Sequence, residues 1–274
     1  MAGIKLVASD LDGTLLTHEA GLTEENSRAI TEIVKRGVLF VPTTGRCLSE
    51  VPDFIKNHPS IEYIISSNGA NITNLKTGEC FPREMPAELS AKVYAILKKY
   101  PVFTCVHANK EGYVDPDRLN PESIAACGIS PYYLKLFEGM CLPLPDFDRI
   151  MSEGIATELF AAFAKDASIL SNCFFELSRL PGVEITRSTS GEIEIISDKA
   201  GKGKGVLRFA AMMGIHPSEI ITAGDSMNDI SMLRVAGLSV AAPSALDEVK
   251  EEATVRMSDG DGGVAEYILS KYIK

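Results

Sequence analysis

The sequence predicts an α/β protein with a doubly wound, Rossmann-like parallel sheet at its core, and two observations lead to this fold class. Short apolar runs typical of buried strands alternate with helical patterns, as at Ile4–Ala8, Val38–Val41 and Tyr63–Ile65. Each run ends in a loop rich in Asp, Thr, Ser, Asn and Gly. Strands that alternate with helices pair in parallel, and such sheets bind ligands outside the carboxyl ends of their strands.

The first helix has clear end signals. Thr23 suits the N-cap, Glu24 and Glu25 place negative charge in the first turn, and Gly37 suits the position after the last turn. The same alternation resumes late in the chain, where we expect a helix over 204–213 and a strand over 220–223.

The middle of the chain has a different character, because Pro and Gly interrupt its apolar runs. We interpret it as an α/β module inserted into the first domain. The predicted domains are a core of residues 1–82 and 192–274 and an inserted module of residues 83–191. Within the module we expect helices over 87–99 and 155–164 and strands over 102–106 and 132–137.

Composition excludes several classes of protein. The 274 residues include 37 acidic and 27 basic side chains, a formal net charge of −10, and nucleic-acid-binding domains are usually basic. No apolar run approaches the roughly 18 residues of a membrane span. We therefore expect neither nucleic acid nor membrane as a partner.

The cysteines and histidines are scattered. Cysteines occupy positions 47, 80, 105, 127, 141 and 173, without a C-x-x-C pair, and histidines occupy positions 18, 58, 107 and 216. This spacing favours reduced thiols in a cytoplasmic protein over a disulfide framework or a zinc site.

The loop after the first strand carries two acids, Asp10 and Asp12, followed by Gly13. Residues two apart in an extended chain point to the same side, so both carboxylates would leave the strand end toward one place. Such a pair suits a nucleophile, a proton donor and a hard-metal site. A simple turn at a strand end explains a lone Asp-x-Asp equally well.

Three further motifs follow in order: Thr44-Gly45-Arg46, Lys202, and Gly224-Asp225-x-x-Asn228-Asp229. With Asp10-x-Asp12-Gly13-Thr14, this set resembles the haloacid dehalogenase (HAD) superfamily of Mg²⁺-dependent phosphoryl-transfer enzymes. More narrowly, it resembles the Cof-type phosphatases of subfamily IIB. The resemblance covers nearly the whole chain, and it identifies the module as the cap domain that such enzymes use to select substrates.

The resemblance also implies a role for each matching residue. Asp10 is expected to be the catalytic nucleophile and Asp12 the catalytic acid and base. The expected Mg²⁺ ligands are Asp10, Asp12 through its backbone carbonyl, and Asp225, with Asp229 ordering the loop. The residues expected to bind phosphate are Leu11, Thr44, Gly45, Lys202 and Asn228.

The choice of lysine stays open between Lys202 and Lys204, which share the stretch Gly201–Gly205. In the family the lysine opens a helix and precedes a Gly-Ile pair by a fixed interval. Counting back from Gly214-Ile215 favours Lys202.

The resemblance implies a Mg²⁺-dependent phosphatase that hydrolyses small phosphorylated metabolites, above all sugar phosphates, through an aspartyl-phosphate. The enzyme is expected to be a cytoplasmic monomer or small homo-oligomer. Two alternatives are a phosphosugar mutase of the same superfamily and a non-catalytic sensor of phosphate ligands.

Overall fold

The structure, a computed structural model, describes residues 3–16 and 21–274, so that His18 lies outside the described residues. The described chain forms two compact units. The first contains the residues up to Gly45 together with Pro52–Phe81 and Lys202–Lys274, and the second contains Arg46–Val51 and Pro82–Gly201. Across these described ranges, the helices are too short or too polar to cross a lipid bilayer.

The described strands are short. In chain order they are β1 Leu6–Ser9, β2 Leu39–Pro42, β3 Tyr63–Ser66, β4 Asn71–Asn74, β5 Cys80–Pro82, β6 Phe103–Ala108, β7 Glu111–Val114, β8 Leu142–Pro143, β9 Leu159–Phe163, β10 Val183–Thr186, β11 Glu192–Ser197, β12 Ile220–Gly224, β13 Leu238–Ala241 and β14 Val255–Arg256.

The described α-helices range from one turn to about three turns. In chain order they are α1 Glu24–Lys35, α2 Asp53–Lys56, α3 Ala87–Leu97, α4 Pro121–Cys127, α5 Pro131–Met140, α6 Asp148–Ser152, α7 Ala167–Leu177, α8 Lys202–Met212, α9 Ile230–Leu233, α10 Asp247–Glu252 and α11 Val264–Tyr272.

The first unit is built on a parallel sheet with strand order β14-β13-β12-β1-β2. Leu6 of β1 lies opposite Ile220 of β12 on one side and Leu39 of β2 on the other. A parallel bridge between Thr43 and Ile65 then places β3 beyond β2. All these strands point the same way, so their carboxyl ends share one edge, and the predicted parallel α/β core is confirmed.

Helices pack against this sheet because its strands are apolar on both sides. Leu6 and Ala8 of β1 pack with Val206 and Phe209 of α8. Strand alternation turns Val7, which is also fully buried, to the opposite face. The sheet therefore has an apolar face on each side, as a doubly wound fold requires.

Helix α1 begins where its sequence predicts. The hydroxyl of Thr23 accepts a hydrogen bond from the amide of Asn26 at 3.2 Å, so the predicted N-cap is confirmed. The Asn26 side chain donates to the carbonyl of Leu15 and accepts from the amide of Ala265 in α11. It thereby joins the first loop of the unit to its last helix.

The second unit is a mostly antiparallel sheet with strand order β10-β11-β9-β6-β7-β8, in which β7 and β8 pair in parallel. Three helices cover one face of this sheet. Val93 of α3, Ile150 of α6 and Leu170 of α7 share a buried apolar cluster with Val106 of β6 and Phe160 of β9.

The boundaries of the second unit differ from the predicted 83–191. Strand β11 lies beyond that range, yet it pairs with both β9 and β10, so the unit continues to Gly201. The short segment Arg46–Val51 also belongs to this unit, where the amide of Ser49 donates to the carbonyl of Lys110 at 2.9 Å. These boundaries depend on pairing between strands that are distant in the sequence. Local composition gives no sign of that pairing.

Two local predictions in this unit are wrong. Residues 132–137 lie in helix α5, because Ser130 caps it and Tyr133 and Phe137 stack one turn apart, with ring centroids separated by 5.9 Å. Residues 159–163 form strand β9 between β6 and β11, not a helix. Both faces of that strand are buried, and a continuous apolar run does not separate a buried strand from a buried helix.

A buried carboxyl on the second sheet, that of Glu192, has a pKa shifted toward neutral pH. Glu192 of β11 is 2% exposed, and it accepts hydrogen bonds from the Tyr133 hydroxyl at 3.0 Å and the Thr189 amide at 3.2 Å. Burial, helped by the negative charge of Glu194, raises the pKa of Glu192 from 4.5 to about 7.

Glu192 is predicted to make stability depend on pH in a defined direction. A carboxyl with a raised pKa stabilises the fold fully below its unfolded pKa of 4.5, and that contribution is lost as pH rises through about 7. Glu192→Gln should therefore shrink the fall in unfolding free energy between about pH 5 and pH 8, measured by urea denaturation. Glu122→Gln on the exposed side of α4 is the control; equal pH dependence in both variants would contradict the account.

Candidate active site

The first loop of the core places Asp10 at the carboxyl edge of the parallel sheet. Asp10 follows β1 directly, its amide donates to the carbonyl of Ala223 in β12 at 2.9 Å, and its side chain is buried. Gly13 then turns the chain with a φ of +80°, a conformation that glycine adopts without strain. The predicted turn after the two acids is present, and Asp10 lies at its base.

The loop after β12 meets this turn at close range. A Cβ atom on Gly13 would lie 2.5 Å from Oδ2 of Asp225, so a side chain at that position would displace this carboxylate. The Thr14 hydroxyl donates to Oδ1 of Asp225 at 2.9 Å, and the Ser226 hydroxyl donates to Oδ2 at 3.2 Å. The carboxylate of Asp225 is thus oriented by both loops.

Asp229 organises the loop that carries Asp225. Its Oδ2 accepts hydrogen bonds from the backbone amides of Asp225 at 3.0 Å and Ser226 at 2.9 Å, and the side chain is fully buried. A short 3₁₀ turn over 227–229 brings the carboxylate back toward these amides. These contacts agree with the loop-ordering role that the family resemblance implies for Asp229.

Lys202 lies between two of these acids. Its Nζ donates to Oδ1 of Asp10 at 2.7 Å and to Oδ1 of Asp229 at 2.6 Å, and the side chain is buried. Lys202 is the first residue of α8, whereas Lys204 is exposed. The geometry favours Lys202 over Lys204.

Gly203 explains how α8 approaches closely enough to bring Lys202 into place. A Cβ atom at this position would lie 2.3 Å from the backbone oxygen of Ser231, and the Gly203 amide donates to the Ser231 hydroxyl at 3.0 Å. The glycine therefore lets the first turn of α8 pack directly on α9.

The site holds more negative than positive charge. Burial raises the pKa of Asp10 well above its ordinary value; Lys202 opposes that rise, while Asp229 and Asp225 add to it. Burial, followed by the charge of Asp229, raises the pKa of Asp225 to about 6. Burial alone would lower the pKa of Lys202, but Asp10 and Asp229 raise it well above its usual range. The positive charge of Lys202 thus acts on the three neighbouring carboxyl groups of Asp10, Asp225 and Asp229.

The carboxylates fit a hard divalent cation. One oxygen each of Asp10, Asp225 and Asp229 lies within 4.8 Å of the other two. Mg²⁺ takes oxygen ligands and keeps several waters, so two carboxylates suffice to hold it. Asp229 already accepts from Lys202 and from two amides, which leaves Asp10 and Asp225 as the better candidates for direct ligands.

A third loop joins this edge through a residue whose role the sequence left unassigned. The amide of Thr44 donates to the carbonyl of Ile65 at 2.9 Å, and the amide of Asn68 donates to the carbonyl of Thr44 at 3.0 Å. The side chain of Asn228 donates to Oδ1 of Asn68 at 3.4 Å. Asn68 therefore connects the Thr44 loop with the Asn228 loop.

Asn68 and its neighbour Ser67 both adopt left-handed backbone conformations, with φ of 50° and 49°. Non-glycine residues adopt this region rarely, and such conformations cluster at active sites and ligand-binding loops. The Asn68-Gly69-Ala70 stretch in the sequence is the signal that could have assigned Asn68 to the site. Ser244 was also missed: its hydroxyl donates to the carbonyl of Gly13 at 2.8 Å from the loop that follows β13.

The remaining candidates lie along the same loops. Leu11 has a buried side chain, and its carbonyl accepts from the amides of Thr14 and Leu16. Asp12 is half-buried in the turn after Asp10. Gly45 follows Thr44 as the last residue of the first unit before the chain enters the second.

Arg46 binds protein groups within the second unit. One guanidinium nitrogen donates to the carbonyl of Glu50 at 2.7 Å, and the other donates to the hydroxyl of Tyr132 at 2.8 Å. These contacts hold the segment that follows Gly45 in the chain.

Comparison with known proteins agrees with the motifs. The family model described as haloacid dehalogenase-like hydrolase matches residues 7–268. Among curated proteins, the Bacillus subtilis 5-amino-6-(5-phospho-D-ribitylamino)uracil phosphatase YwtE is 29% identical over 288 residues, and the alignment covers 97% of each chain.

Solved structures share the fold. A haloacid dehalogenase-like hydrolase from B. subtilis matches with a TM-score of 0.85 at 23% identity, covering 98% of this chain and 100% of its own. The HAD subclass IIB sugar phosphatase BT4131 matches with a TM-score of 0.80 at 21% identity, covering 97% and 98%. These likenesses agree with the predicted α/β fold.

The family match spans nearly the whole chain and includes every loop described above. It confirms the predicted superfamily and enzyme class. The chain belongs to the haloacid dehalogenase-like hydrolase family.

Proposed function

We propose that this hydrolase is a Mg²⁺-dependent phosphatase that cleaves small phosphorylated metabolites through an aspartyl-phosphate on Asp10. The observation that carries the proposal is the position of Lys202, whose Nζ lies 2.7 Å from Asp10 and 2.6 Å from Asp229 at the carboxyl edge of the sheet. These contacts support the proposal, because two carboxyl groups and a fixed cation lie together in one buried site.

The proposed reaction has two chemical steps. An oxygen of Asp10 forms a bond to phosphorus while the bond from phosphorus to the substrate oxygen breaks, and Asp12 gives its proton to that leaving oxygen. Asp12 then takes a proton from a water molecule, whose oxygen attacks phosphorus. The bond to Asp10 breaks, inorganic phosphate leaves, and both carboxyl groups return to their starting states.

Charge is the main obstacle to the first step, because a carboxylate and a phosphate dianion repel each other. Lys202 offsets part of that repulsion next to Asp10 itself. Mg²⁺, held by Asp10 and Asp225, would supply the remaining positive charge and hold a phosphate oxygen in place. The backbone and side chains of Thr44 and Asn228 are proposed to bind the other phosphate oxygens.

The proposed substrates are phosphate monoesters of sugars or sugar alcohols. The support is the name of the relative YwtE, which includes a phosphorylated ribityl group, and that of the structural neighbour BT4131, a sugar phosphatase. We propose that the second unit, Arg46–Val51 and Pro82–Gly201, is the cap that selects among them. We also propose a cytoplasmic enzyme that acts as a monomer or small homo-oligomer, without nucleic-acid or membrane partners.

Asp10→Asn should abolish turnover, with a loss of about 10⁴-fold or more, because the variant lacks the nucleophile. The measurement is phosphate release from a panel of sugar phosphates and sugar-alcohol phosphates that includes the substrate of YwtE. Wild-type release should require Mg²⁺ and stop with EDTA. Undiminished release by the variant would contradict the proposed role of Asp10.

A panel on which the wild type releases no phosphate would favour a different reaction. A phosphosugar mutase would instead interconvert sugar phosphates after priming with a bisphosphate. Tight binding of ligands without any turnover would indicate a sensor.

Lys202→Met is expected to lower kcat about 10²- to 10³-fold, since it removes a preorganised charge that acts beside the transferred phosphoryl group. Lys204→Met is the matched control, because Lys204 lies two residues away on the same helix and is exposed. Steady-state kinetics of both variants on the best substrate of the panel make the comparison. Equal losses, or a larger loss in the Lys204 variant, would contradict the proposed role of Lys202.

A further inference from the structure

The second unit contains a buried group of soft and hard metal-binding side chains outside the proposed active site. We define the thiol–imidazole cluster as Cys47, Glu50, Cys105, His107 and Cys141. Donor atoms of Cys47, Glu50 and His107 lie within 4.8 Å of one another, and so do those of Glu50, Cys105 and Cys141. Sequence spacing predicts no zinc site, but the fold brings three of the six scattered cysteines to one place.

Glu50 lies at the centre of the cluster and is 1% exposed. Its Oε2 is 3.4 Å from Nε2 of His107, and its Oε1 is 3.3 Å from Sγ of Cys141. The amide of Cys47 also donates to Oε2 at 3.2 Å. The two triplets of donors therefore share one carboxylate.

The sheet leaves room for the cluster. Cys105 and His107 are two residues apart on β6, so both point to the same face. Gly112 lies opposite His107 on β7, and a Cβ atom there would be 2.4 Å from Oε1 of Glu50 and 3.0 Å from Sγ of Cys141. The missing side chain makes the space that the carboxylate and the thiol occupy.

A disulfide between Cys105 and Cys141 does not explain their proximity. Strand β7 lies between β6, which carries Cys105, and β8, which begins directly after Cys141. Strands two positions apart in a sheet are separated by about 9–10 Å, and disulfides need Cα atoms within about 7 Å. The two thiols approach each other only through their side chains, which suits coordination of a shared ion.

The spacing and chemistry of the donors suit one metal. Ligands at about 2.0–2.3 Å around a tetrahedral Zn²⁺ are separated from each other by about 3.3–3.8 Å. The contacts of Glu50 with His107 and Cys141, at 3.4 and 3.3 Å, lie close to that range. Thiolate ligands exclude Mg²⁺ and Ca²⁺, and the carboxylate disfavours Cu⁺, whereas Zn²⁺ accepts sulfur, nitrogen and oxygen.

We propose that the thiol–imidazole cluster binds one Zn²⁺ through Glu50, His107 and thiolates of the surrounding cysteines. On binding, each ligating thiol releases its proton to solvent and forms a bond from sulfur to zinc. The charge around the site favours a cation, because Glu50 lies against His107 and the negative charges of Glu158 and Glu194 also act on it. Cys141, which is only half-buried, gives the ion a route to the cluster.

The bound ion would join three parts of the second unit that are far apart in sequence. These are the segment Arg46–Val51, strand β6 and the residue before β8. Since the unfolded chain does not present such a site, binding energy of this kind stabilises the folded unit.

The test is metal analysis of the reduced full-length protein. The wild type should retain about one zinc per chain after exchange into excess Mg²⁺, which displaces zinc from the all-oxygen site. After removal of zinc with a chelator, titration with Co²⁺ should produce the near-ultraviolet absorption of cobalt–thiolate bonds. Wild-type protein that holds no zinc and shows no cobalt–thiolate absorption would overturn the proposal.

Single cysteine variants test whether the bound ion lies in the thiol–imidazole cluster. Cys141→Ser and Cys105→Ser should lower Co²⁺ affinity by more than about tenfold and weaken the cobalt–thiolate absorption. Cys173→Ser is the control, because Cys173 is buried like Cys105 but lies on α7 and packs in the apolar cluster of the second unit. Absorption that persists in both Cys105 and Cys141 variants would also overturn the proposal; if either variant fails to fold, the wild-type measurements decide.

Discussion

The contact of Lys202 with Asp10 and Asp229 is the interaction on which the site of this protein depends. Its three side chains come from the first loop, the start of α8 and the loop after β12. A buried ion pair is costly to desolvate unless further hydrogen bonds complete it. Here the amides of Asp225 and Ser226 complete the pair by donating to Asp229. These contacts thereby hold loops that are far apart in the sequence in one fixed arrangement.

The parallel sheet makes that arrangement possible. Because β1, β2 and β12 end at one edge, the loops that follow them meet there, and each brings a different chemical group. Tight packing then orients those groups, since a side chain at Gly13 would press on Asp225 and a side chain at Gly203 would separate α8 from α9. The excess of negative charge that results is unfavourable by itself and suits a divalent cation and a lysine. The unfavourable charge is thus part of the proposed chemistry.

Much of this could be predicted from the sequence, for a physical reason. Parallel strands, helix caps such as Thr23 and the acids after β1 depend on local pattern, and local pattern is visible in a sequence. The boundary of the second unit could not be predicted, because β11 joins it only by pairing with strands distant in the chain. The thiol–imidazole cluster could not be predicted either, because its members are distant in the sequence and only the fold brings them together. The two units also differ in donor chemistry: oxygen donors in one favour Mg²⁺, and sulfur and nitrogen donors in the other favour Zn²⁺, so the proposed ions need not compete.

The central claim is that Lys202 and the surrounding acids make Asp10 a nucleophile toward phosphorus. It is tested most directly by acid-quenching the enzyme during turnover of a substrate with a radiolabelled phosphoryl group, and mapping the label by peptide sequencing and mass spectrometry. The account predicts an acyl-phosphate on Asp10 that hydroxylamine releases. Label on any other residue, or rapid turnover in which quenching at the earliest times captures no labelled protein, would contradict it.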